Sequence, residues 1–343
     1  MIVVHAVATD RFAGVEHHVA RLAAEQARAG HRVTVIGGEP GAMRRRMGPD
    51  VEHVPACGLA SCVRSLALVG GSADLVNVHM TAAEVAAGLA WSLRGTAVVA
   101  TVHFAHPRAV GSGWARPLVA AVAQRRLAAQ IAVSAFVAGA VGGRTPTQVV
   151  HTGVPSRDPS AGPRDRTVLV AQRLEPEKHT DDALRIFAQS QVARRGWRLT
   201  VAGDGSARGA LLALAAELGV ADAVDLLGQR DDVDALMERA GILLAPTPRE
   251  GLGLTVLEAM SCGLPVLAAG SGGHLETVGS VPGAQLYADL ADGAARLRAM
   301  AEDERGTAAY GADLHAAQRE RFTIDRQVAQ TEAVYRQVLE ARR

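Results

Sequence analysis

Residues 242–269 read ILLAPTPREGLGLTVLEAMSCGLPVLAA, and this stretch has the pattern of a strand, a loop, a helix and a second strand. The apolar run Ile242–Ala245 ends at two prolines, which force the chain to turn. A helix is predicted to begin near Leu254 and to stop at Gly263-Leu264-Pro265, ahead of a second strand at Pro265–Ala269. Apolar strands joined through helices are typical of a parallel sheet that is covered on both faces.

The same alternation of apolar strands and Ala-rich helices runs along the rest of the chain. We predict further strands, in chain order, at Ile2–Val7, Val33–Ile36, Leu75–His79, Ala97–His103, Gln130–Ser134, Gln148–His151, Thr167–Ala171, Arg198–Ala202 and Val224–Leu227. Residues 156–165, SRDPSAGPRD, are rich in Pro, Gly and charge and form the predicted linker. A helix with no strand after it is predicted at Asp325–Leu339.

These patterns predict an α/β protein with two Rossmann-like, doubly wound parallel-sheet domains in series. Residues 1–155 form the first domain, residues 156–322 the second, and residues 323–343 a C-terminal helix that packs back on the first. Ligands of such sheets bind beyond the carboxyl ends of the strands. We therefore expect the two domains to face each other across a cleft, with one substrate on each side.

The charge of the chain is unevenly distributed. Its 343 residues carry a net charge of +1. Residues 1–155 carry +6, from fourteen arginines and eight acidic residues, and residues 156–343 carry −5. This balance does not indicate nucleic-acid binding, and it leaves open a peripheral contact of the basic half with an anionic membrane.

Cysteines and apolar runs indicate where the protein works. The three cysteines have neither metal-ligand nor disulfide spacing, which fits a reducing cytoplasm. The opening residues lack the basic region of a signal peptide, and no run of about 18 apolar residues could span a bilayer. We expect a soluble, cytoplasmic protein.

The loop in the quoted stretch has the composition of an anion site. Gly251 and Gly253 remove side chains where the helix at Leu254 begins, and a helix N-terminus offers free N–H groups and the positive end of its dipole. Glu250 precedes the helix and Glu258 lies inside it, so the two carboxylates can address different parts of one ligand. Carboxylate oxygens only accept hydrogen bonds, which suits sugar hydroxyls.

A second candidate site follows the strand Thr167–Ala171. Lys178 is the only lysine beside thirty-five arginines, and it stands five residues after Arg173, across the bend at Pro176. Two cations at this spacing can converge on one pyrophosphate and stabilise the charge that a leaving nucleoside diphosphate gains, without a metal ion. Lysine supplies a compact point charge where a broad guanidinium does not fit.

The Arg-x4-Lys pair (Arg173, Lys178) and the Glu-x7-Glu element (Glu250, Glu258) together resemble the C-terminal domain of the retaining, GT-B-fold glycosyltransferases of family 4. Further matches extend over nearly the whole chain. Those in the C-terminal half are specific: Leu199–Gly205, Leu227-Gly228 and Gly272–Glu276. Those in the N-terminal half are individually weak: Ala13–Glu16, Gly30–Val33, Thr101–His103 and Gly153-Val154. The resemblance implies metal-independent transfer from a nucleotide-sugar donor, commonly UDP-linked, with no other cofactor. The acceptor would be a glycoside, a natural product or a lipid, bound against the N-terminal domain.

The resemblance also implies roles for individual residues of the C-terminal domain. Glu258 would bind the ribose hydroxyls of the donor, and Glu250 would lie by the donor sugar. Arg173 and Lys178 would hold the diphosphate. The other residues implied in donor binding are Gly203, Gly228, Gly251, Leu252, Gly253, Leu254 and Thr255.

Two residues of the N-terminal domain are implied as well. Gly14 would let its loop approach the phosphate and the sugar closely. His103, which ends a strand, would line the catalytic pocket and face the transferring sugar with its imidazole or the nearby backbone.

Two positions beside the Arg-x4-Lys pair depart from the family pattern. Glycine is common before the Arg and after the Lys of the Arg-x4-Lys pair, and here these positions hold Gln172 and His179. We expect a stiffer loop, in which His179 either adds a donor at the phosphate or caps a helix. The Arg- and Ala-rich style of the chain is similar to that of actinomycete proteins, and an orthosomycin (avilamycin-type) antibiotic pathway is one hypothesis.

Other functions compete with sugar transfer. A sugar-nucleotide epimerase or hydrolase can use the same scaffold, and so can a non-catalytic nucleotide-binding partner. Asp232-Val233-Asp234 imitates a metal-binding element, but it lies at a predicted helix start, where Asp is expected as a cap. Gly203-Asp204-Gly205 imitates a dinucleotide loop, but the spacing to its third glycine does not fit and it comes mid-chain.

Overall fold

The computed structural model describes residues 1–105, 116–141, 145–159 and 162–343. Its contacts divide the chain into an N-terminal unit, Met1–Gly153 with Ile324–Arg343, and a C-terminal unit, Val154–Thr323. The chain therefore passes between the units after residue 153 and after residue 323, where the sequence predicts boundaries after 155 and 322. Within the described residues, no helix is both long and apolar enough to cross a membrane.

The N-terminal unit is built on one parallel sheet. Its described strands are β1 (Ile2–Val7), β2 (Arg32–Ile36), β3 (Val51–Val54), β4 (Leu75–His79), β5 (Ala97–Val102), β6 (Leu127–Ala132) and β7 (Thr147–Val149). They pair in the order β3-β2-β1-β4-β5-β6-β7. The helices between them are α1 (Gly14–Arg28), α2 (Pro40–Met47), α3 (Gly58–Val69), α4 (Met80–Leu89), α5 (Arg116–Gln124) and α6 (Ala135–Ala140). The order reverses between β1 and β4, where ligands bind in sheets of this kind.

The C-terminal unit repeats the design. Its described strands are β8 (Asp165–Ala171), β9 (Arg198–Ala202), β10 (Val224–Gly228), β11 (Ala240–Ala245), β12 (Val266–Ala269) and β13 (Leu286–Tyr287). Their parallel order is β10-β9-β8-β11-β12-β13, which reverses between β8 and β11. The helices are α7 (Thr180–Ser190), α8 (Arg208–Glu217), α9 (Val233–Arg239), α10 (Leu254–Ser261), α11 (Leu290–Glu302) and α12 (Glu304–Arg321). Two doubly wound parallel sheets confirm the predicted fold class.

The last helix, α13 (Ile324–Glu340), belongs to the N-terminal unit. Its apolar face places Val334 and Tyr335 in one cluster with Val3 of β1. The Tyr335 side chain is fully buried, and its hydroxyl accepts a hydrogen bond of 2.7 Å from Nδ2 of Asn77. Because a buried hydroxyl costs free energy unless it is paired, this bond fixes the helix to one position on the sheet.

Two of the described strands are not predicted by the sequence. Val51–Val54 reads VEHV and pairs at the edge of its sheet, and its two middle residues are polar, so it forms no apolar run. Leu286–Tyr287 pairs with β12 over two residues, which is too short for a periodic signal.

Candidate functional site

An ion pair joins the two predicted sites of the C-terminal unit. Lys178 follows β8 and Glu250 follows β11, the two strands at which the sheet order reverses. Nζ of Lys178 lies 2.8 Å from Oε2 of Glu250, and both side chains are partly buried, at 21% and 23% exposure. Burial opposes ionisation of Glu250, but the Lys178 ammonium outweighs it and holds the pKa of Glu250 below its usual range.

Hydrogen bonds from the side chains of Gln172 and Thr247 hold the backbone of Lys178 in place. The side-chain amide of Gln172 donates to the carbonyl of Lys178 at 2.8 Å and to Oγ1 of Thr180 at 2.9 Å. The Thr247 hydroxyl lies 3.1 Å from Oε1 of Gln172 and 3.2 Å from the Lys178 carbonyl. Gln172, which departs from the family pattern, thus ties the loop after β8 to the loop after β11.

His179 takes a backbone conformation that glycine adopts more readily. Its φ of +54° is left-handed, which agrees with the glycine that is common there in the family. Its ring bonds to Oδ2 of Asp182 in the first turn of α7, at 3.0 Å. His179 directly precedes α7, but within the described part of the chain its side chain makes no capping hydrogen bond to the helix backbone, and its described contact is with the Asp182 carboxylate.

The N-terminus of α10 is shaped by glycines. Gly253 has φ of +91°, and no side chain among the described residues caps the helix there. Gly273 packs so closely that a Cβ would lie 2.4 Å from the carbonyl oxygen of Gly251, and its N–H donates to the carbonyl of Glu250 at 2.9 Å. Gly273 therefore lets two backbone segments pack against each other, and Gly253 allows the left-handed turn before the helix, whose N-terminus offers free N–H groups.

His274, directly after Gly273, lies beside this loop. It is 1% exposed. Burial lowers the pKa of its imidazole, and this effect outweighs the negative charge of Glu250, which raises the pKa. Its Nδ1 lies 3.1 Å from the Ala269 carbonyl oxygen, which can only accept, so the proton is on Nδ1. A neutral ring next to Glu250 leaves Lys178 as the cation that balances this carboxylate.

The remaining predicted donor residues lie at or after the carboxyl ends of β8, β9, β10 and β11. Arg173 is exposed and bonds to Glu177 at 3.2 Å. The N–H of Gly203, after β9, donates to the carbonyl of Gly228, at the end of β10, at 2.8 Å. Leu252 is 4% exposed, so its backbone is the part that can reach a ligand. Leu254 and Thr255 open α10, and both are partly buried.

Glu258 lies in α10, one turn after its start, and is partly buried. Its charge acts on Arg157, which pairs with Asp234 at 2.7 Å. Burial opposes the charge of Arg157, but Asp234 and Glu258 together raise its pKa.

The Asp232–Asp234 element is engaged by arginines. Asp232 forms two bonds to Arg230, at 2.8 and 2.7 Å, and Asp234 pairs with Arg157. Asp232 does precede α9, but its carboxylate makes no capping bond, so the expectation that it caps this helix is wrong. The reason is that the guanidinium of Arg230 binds both carboxylate oxygens of Asp232.

In the N-terminal unit, Gly14 follows β1 and His103 follows β5, two strands that are separated by β4 in the sheet. Gly14 is the exposed first residue of α1, and the space that a Cβ would occupy there is open to 4 Å among the described atoms. His103 directly follows β5 and is partly buried. Its Nε2 lies 3.1 Å from Nδ1 of His79.

His103 is the outer end of a row that the sequence analysis did not predict, which we call the histidine chain: His103, His79 and His5. Nε2 of His79 lies 3.1 Å from Nδ1 of His5, whose Nε2 lies 2.7 Å from Oε1 of Gln26. His18 packs against His103 edge to face, with ring centroids 4.6 Å apart. The available signal was one histidine in or directly after each of three apolar strand segments, IVVHAV, LVNVH and AVVATVH.

Burial keeps the rings of this group neutral. It lowers the pKa of His5 and of His103 to about 4, and it lowers that of His18 and His79 as well, with the neighbouring histidines adding to the effect for the latter two. One nitrogen of each of His18, His79 and His103 lies within 4.8 Å of the others, which is close enough to consider a metal ion. Both nitrogens of His79 are already hydrogen-bonded to other imidazoles, so the contacts do not need one.

Both halves of the chain match families of sugar-transferring enzymes. Residues 12–157 match the family model described as Glycosyltransferase Family 4, and residues 156–284 match Glycosyl transferases group 1. The two matched segments fall on the two Rossmann-like sheets.

Two of the relatives are named as glycosyltransferases. The chain is 37% identical over 111 residues to the 2-deoxystreptamine glucosyltransferase of Streptomyces kanamyceticus, covering 32% of this chain and 29% of that protein. It is 32% identical over 234 residues to the D-inositol 3-phosphate glycosyltransferase of Salinispora arenicola, covering 57% and 51%. The chain thus spans about half or less of the length of these relatives.

Solved structures share the fold over the whole chain. Anabaena HepE in complex with UDP-glucose aligns with a TM-score of 0.82 at 22% identity, covering 97% of this chain and 99% of that one. The sucrose-phosphate synthase of Thermosynechococcus elongatus aligns with a TM-score of 0.78 at 17% identity, covering 99% and 100%. At these identities the likeness establishes the fold.

Proposed function

We propose that the protein transfers a glycosyl group from a nucleotide-diphospho-sugar, a UDP-sugar, to an acceptor hydroxyl, with retention of configuration and without a metal ion. The C-terminal unit binds the donor and the N-terminal unit the acceptor. The complexes of HepE with UDP and with UDP-glucose support the choice of uridine. Nucleotide sugars are cytoplasmic metabolites, and we place the enzyme there.

The observation that carries this proposal is the Lys178–Glu250 pair beside the uncapped N-terminus of α10. A carboxylate next to a phosphate-binding site would repel the donor if it were unbalanced. Paired with one lysine, it makes the site neutral before the donor binds. When the diphosphate binds, the ammonium can turn to a phosphate oxygen, and Glu250 becomes an acceptor for a sugar hydroxyl.

Departure of the diphosphate is the step that the C-terminal unit stabilises. As the bond from the anomeric carbon to the phosphate oxygen breaks, negative charge grows on the leaving diphosphate. Lys178, Arg173 and the N–H groups at the start of α10 supply fixed positive charge for it. Glu258 then holds the nucleotide through the ribose hydroxyls, one helical turn away.

We propose retention because the sequence resembles a retaining family. With the donor bound, Glu250 accepts from a sugar hydroxyl, and the predicted roles name no nucleophile that would form a covalent glycosyl-enzyme. We infer that the acceptor hydroxyl attacks from the side on which the diphosphate leaves, and that a phosphate oxygen takes its proton. We propose Gly14 as the residue that lets its loop approach the phosphate and the sugar, and His103 as a contact of the transferring sugar.

We propose a polyhydroxylated ring, such as a cyclitol within an antibiotic or another natural product, as the acceptor. Two relatives are named for 2-deoxystreptamine and for D-inositol 3-phosphate, and both are six-membered carbocycles that carry several hydroxyls. The +6 charge of residues 1–155 suits an acceptor that is itself phosphorylated.

Calorimetry with UDP, GDP, ADP and dTDP tests the donor assignment. UDP should bind most tightly, and Glu258→Ala should weaken its binding about 10- to 100-fold, the equivalent of losing hydrogen bonds to a charged group. Glu217→Ala, an exposed glutamate at the end of α8, is the matched control. Equal binding of all four nucleotides, or unchanged UDP affinity in Glu258→Ala, would contradict the assignment.

Turnover tests the reaction itself. Incubation of UDP-glucose with myo-inositol and with 2-deoxystreptamine, in EDTA, should give a product whose anomeric proton coupling in NMR matches that of the donor. A changed donor sugar in the absence of acceptor would instead identify an epimerase, and rapid release of free sugar a hydrolase. A product of opposite configuration would refute retention.

A further inference from the structure

The histidine chain has a direction that its contacts define. A neutral imidazole carries one proton, so each ring in the chain donates through one nitrogen and accepts through the other. The partner of His5 is Oε1 of Gln26, a carbonyl oxygen, which accepts. His5 therefore donates through Nε2, and its Nδ1 accepts from Nε2 of His79. His79 in turn accepts at Nδ1 from Nε2 of His103.

The orientation of the Gln26 amide decides this direction. Its Oε1 lies 2.7 Å from Nε2 of His5, and its Nε2 is buried without a hydrogen-bond partner among the described residues. The direction of the chain therefore rests on the contact of this carbonyl oxygen with His5.

His18 belongs to the cluster but not to the chain. Oε1 of Gln327 accepts from the N–H of Gly153 at 2.7 Å, which leaves Nε2 of Gln327 to donate to Nε2 of His18 at 3.3 Å. His18 then donates through Nδ1 to Thr152, also at 3.3 Å. Its tautomer is set by α13 and by the segment after β7, independently of His5 and His79.

We propose that His5 and His79 are positioning residues that hold His103 as the Nε2–H tautomer, so that its Nδ1 is a hydrogen-bond acceptor for a hydroxyl of the bound sugar. His5 and His79 are fully buried, so His103, which is partly exposed, is the ring of this chain that can reach a ligand. The role of His103 as a sugar contact rests on the proposed function. The assignment of its tautomer does not rest on the proposed function.

A substrate preference follows from a nitrogen that only accepts. It can receive a hydrogen bond from a neutral sugar hydroxyl, but it repels the oxygens of a carboxylate or a phosphate. The site is therefore suited to a neutral hexose rather than to a uronic acid at the position next to His103. Without the chain, the ring could turn over or change tautomer, and the preference would weaken.

Long-range ¹H–¹⁵N NMR of the full chain with ¹⁵N-labelled histidine tests the tautomer directly. In the natural protein, His103 should show a protonated Nε2 and a bare Nδ1. His79→Leu, which removes the middle of the chain, and Gln26→Leu, which removes its distant end, should each give a mixture of tautomers at His103. His18→Leu is the matched control, because it deletes a neighbouring ring outside the chain and should leave the His103 tautomer unchanged.

The outcomes separate this inference from the proposed function. A protonated Nδ1 at His103, or an unchanged tautomer in both chain variants, would overturn it whether or not sugar is transferred. One equivalent of Zn²⁺ that shifts the ring nitrogens of His18, His79 and His103 together would also overturn it, since the chain would then be part of a metal site. If the tautomers are as stated but no transfer occurs, the proposed function fails and the positioning role stands.

Kinetics supply a second readout where transfer is measured. Gln26→Leu lies three hydrogen bonds from His103 and contacts no part of the ligand site described above. It should lower kcat/KM for UDP-glucose about 10-fold, the loss of one well-placed hydrogen bond, and change that for UDP-glucuronic acid less. Equal losses for the two donors would indicate a general structural effect and contradict the preference.

Discussion

The buried histidines should make the N-terminal unit sensitive to mild acid. Folding takes His5 and His103 from an ordinary pKa of 6.5 to about 4. Between these values the unfolded chain binds a proton at each position that the folded chain does not. Stability is therefore complete above pH 6.5, falls as the pH is lowered through 6.5, and levels off below about pH 4.

The size of the effect follows from the two pKa values. At pH 5, a site that titrates at 6.5 when unfolded and at about 4 when folded has lost about 2 kcal/mol of its contribution to stability. His5 and His103 together give about 4 kcal/mol, which is a large part of the stability of an ordinary domain. His18 and His79, whose pKa values are also lowered, act in the same direction.

The assay needs to report on the N-terminal unit alone, because two units need not unfold together. The protein is equilibrated in urea at pH 7.5 or at pH 5 and then given a deuterium pulse at one fixed pH. The deuterium content of peptides that contain Ile2–Val7 is then measured by mass spectrometry. His5→Gln, which cannot titrate, should reduce the pH-dependent loss by about 2 kcal/mol. His315→Gln, in the C-terminal unit, is the control. An equal loss in natural protein and His5→Gln would refute the reasoning.

Three further substitutions have defined outcomes. Lys178→Arg keeps the charge but replaces a point contact with a broad guanidinium at a partly buried carboxylate, so the transfer rate should fall about 10-fold while melting changes little. Gly273→Ala brings a Cβ to 2.4 Å from the Gly251 oxygen, so UDP affinity by calorimetry and the melting temperature should both drop. Tyr335→Phe leaves the buried Asn77 amide without its partner and should cost about 1–3 kcal/mol in urea unfolding. Unchanged values in any of the three would contradict the contact concerned.

The sequence was sufficient for the parts of the fold that have a local pattern. The stretch 242–269 predicts β11, α10 and β12 to within a few residues, because prolines, glycines and apolar runs mark its turns locally. The sequence does not predict β3, because an edge strand such as VEHV has no continuous apolar run. A site that is formed by residues of neighbouring strands is harder to predict from the sequence. The histidine chain requires β1, β4 and β5 to be adjacent, and adjacency is set by topology and not by local sequence.

The ion pair at the candidate site also has one part that the sequence predicts and one part that depends on the topology of the sheet. Arg173, Lys178, Glu250 and Glu258 stand out by type and spacing, so the sequence locates the loops that carry them. That Lys178 bonds to Glu250, 72 residues away, depends on β8 and β11 being neighbours in the sheet. Gln172 appeared only as a departure from a pattern, and its bonds to Lys178 and Thr180 could not be derived without coordinates.

The position of α13 has a consequence for synthesis on the ribosome. The N-terminal unit is the first to be translated, yet its core contains Val334 and Tyr335 next to Val3. Those contacts cannot form until the whole C-terminal unit, Val154–Thr323, has been made. The unit that emerges first must therefore wait, with part of its sheet uncovered, while the second unit is free to fold on its own. A ribosome that stalls before residue 324 would release a chain whose exposed surface lies on the N-terminal sheet, and chaperones would have to protect that surface.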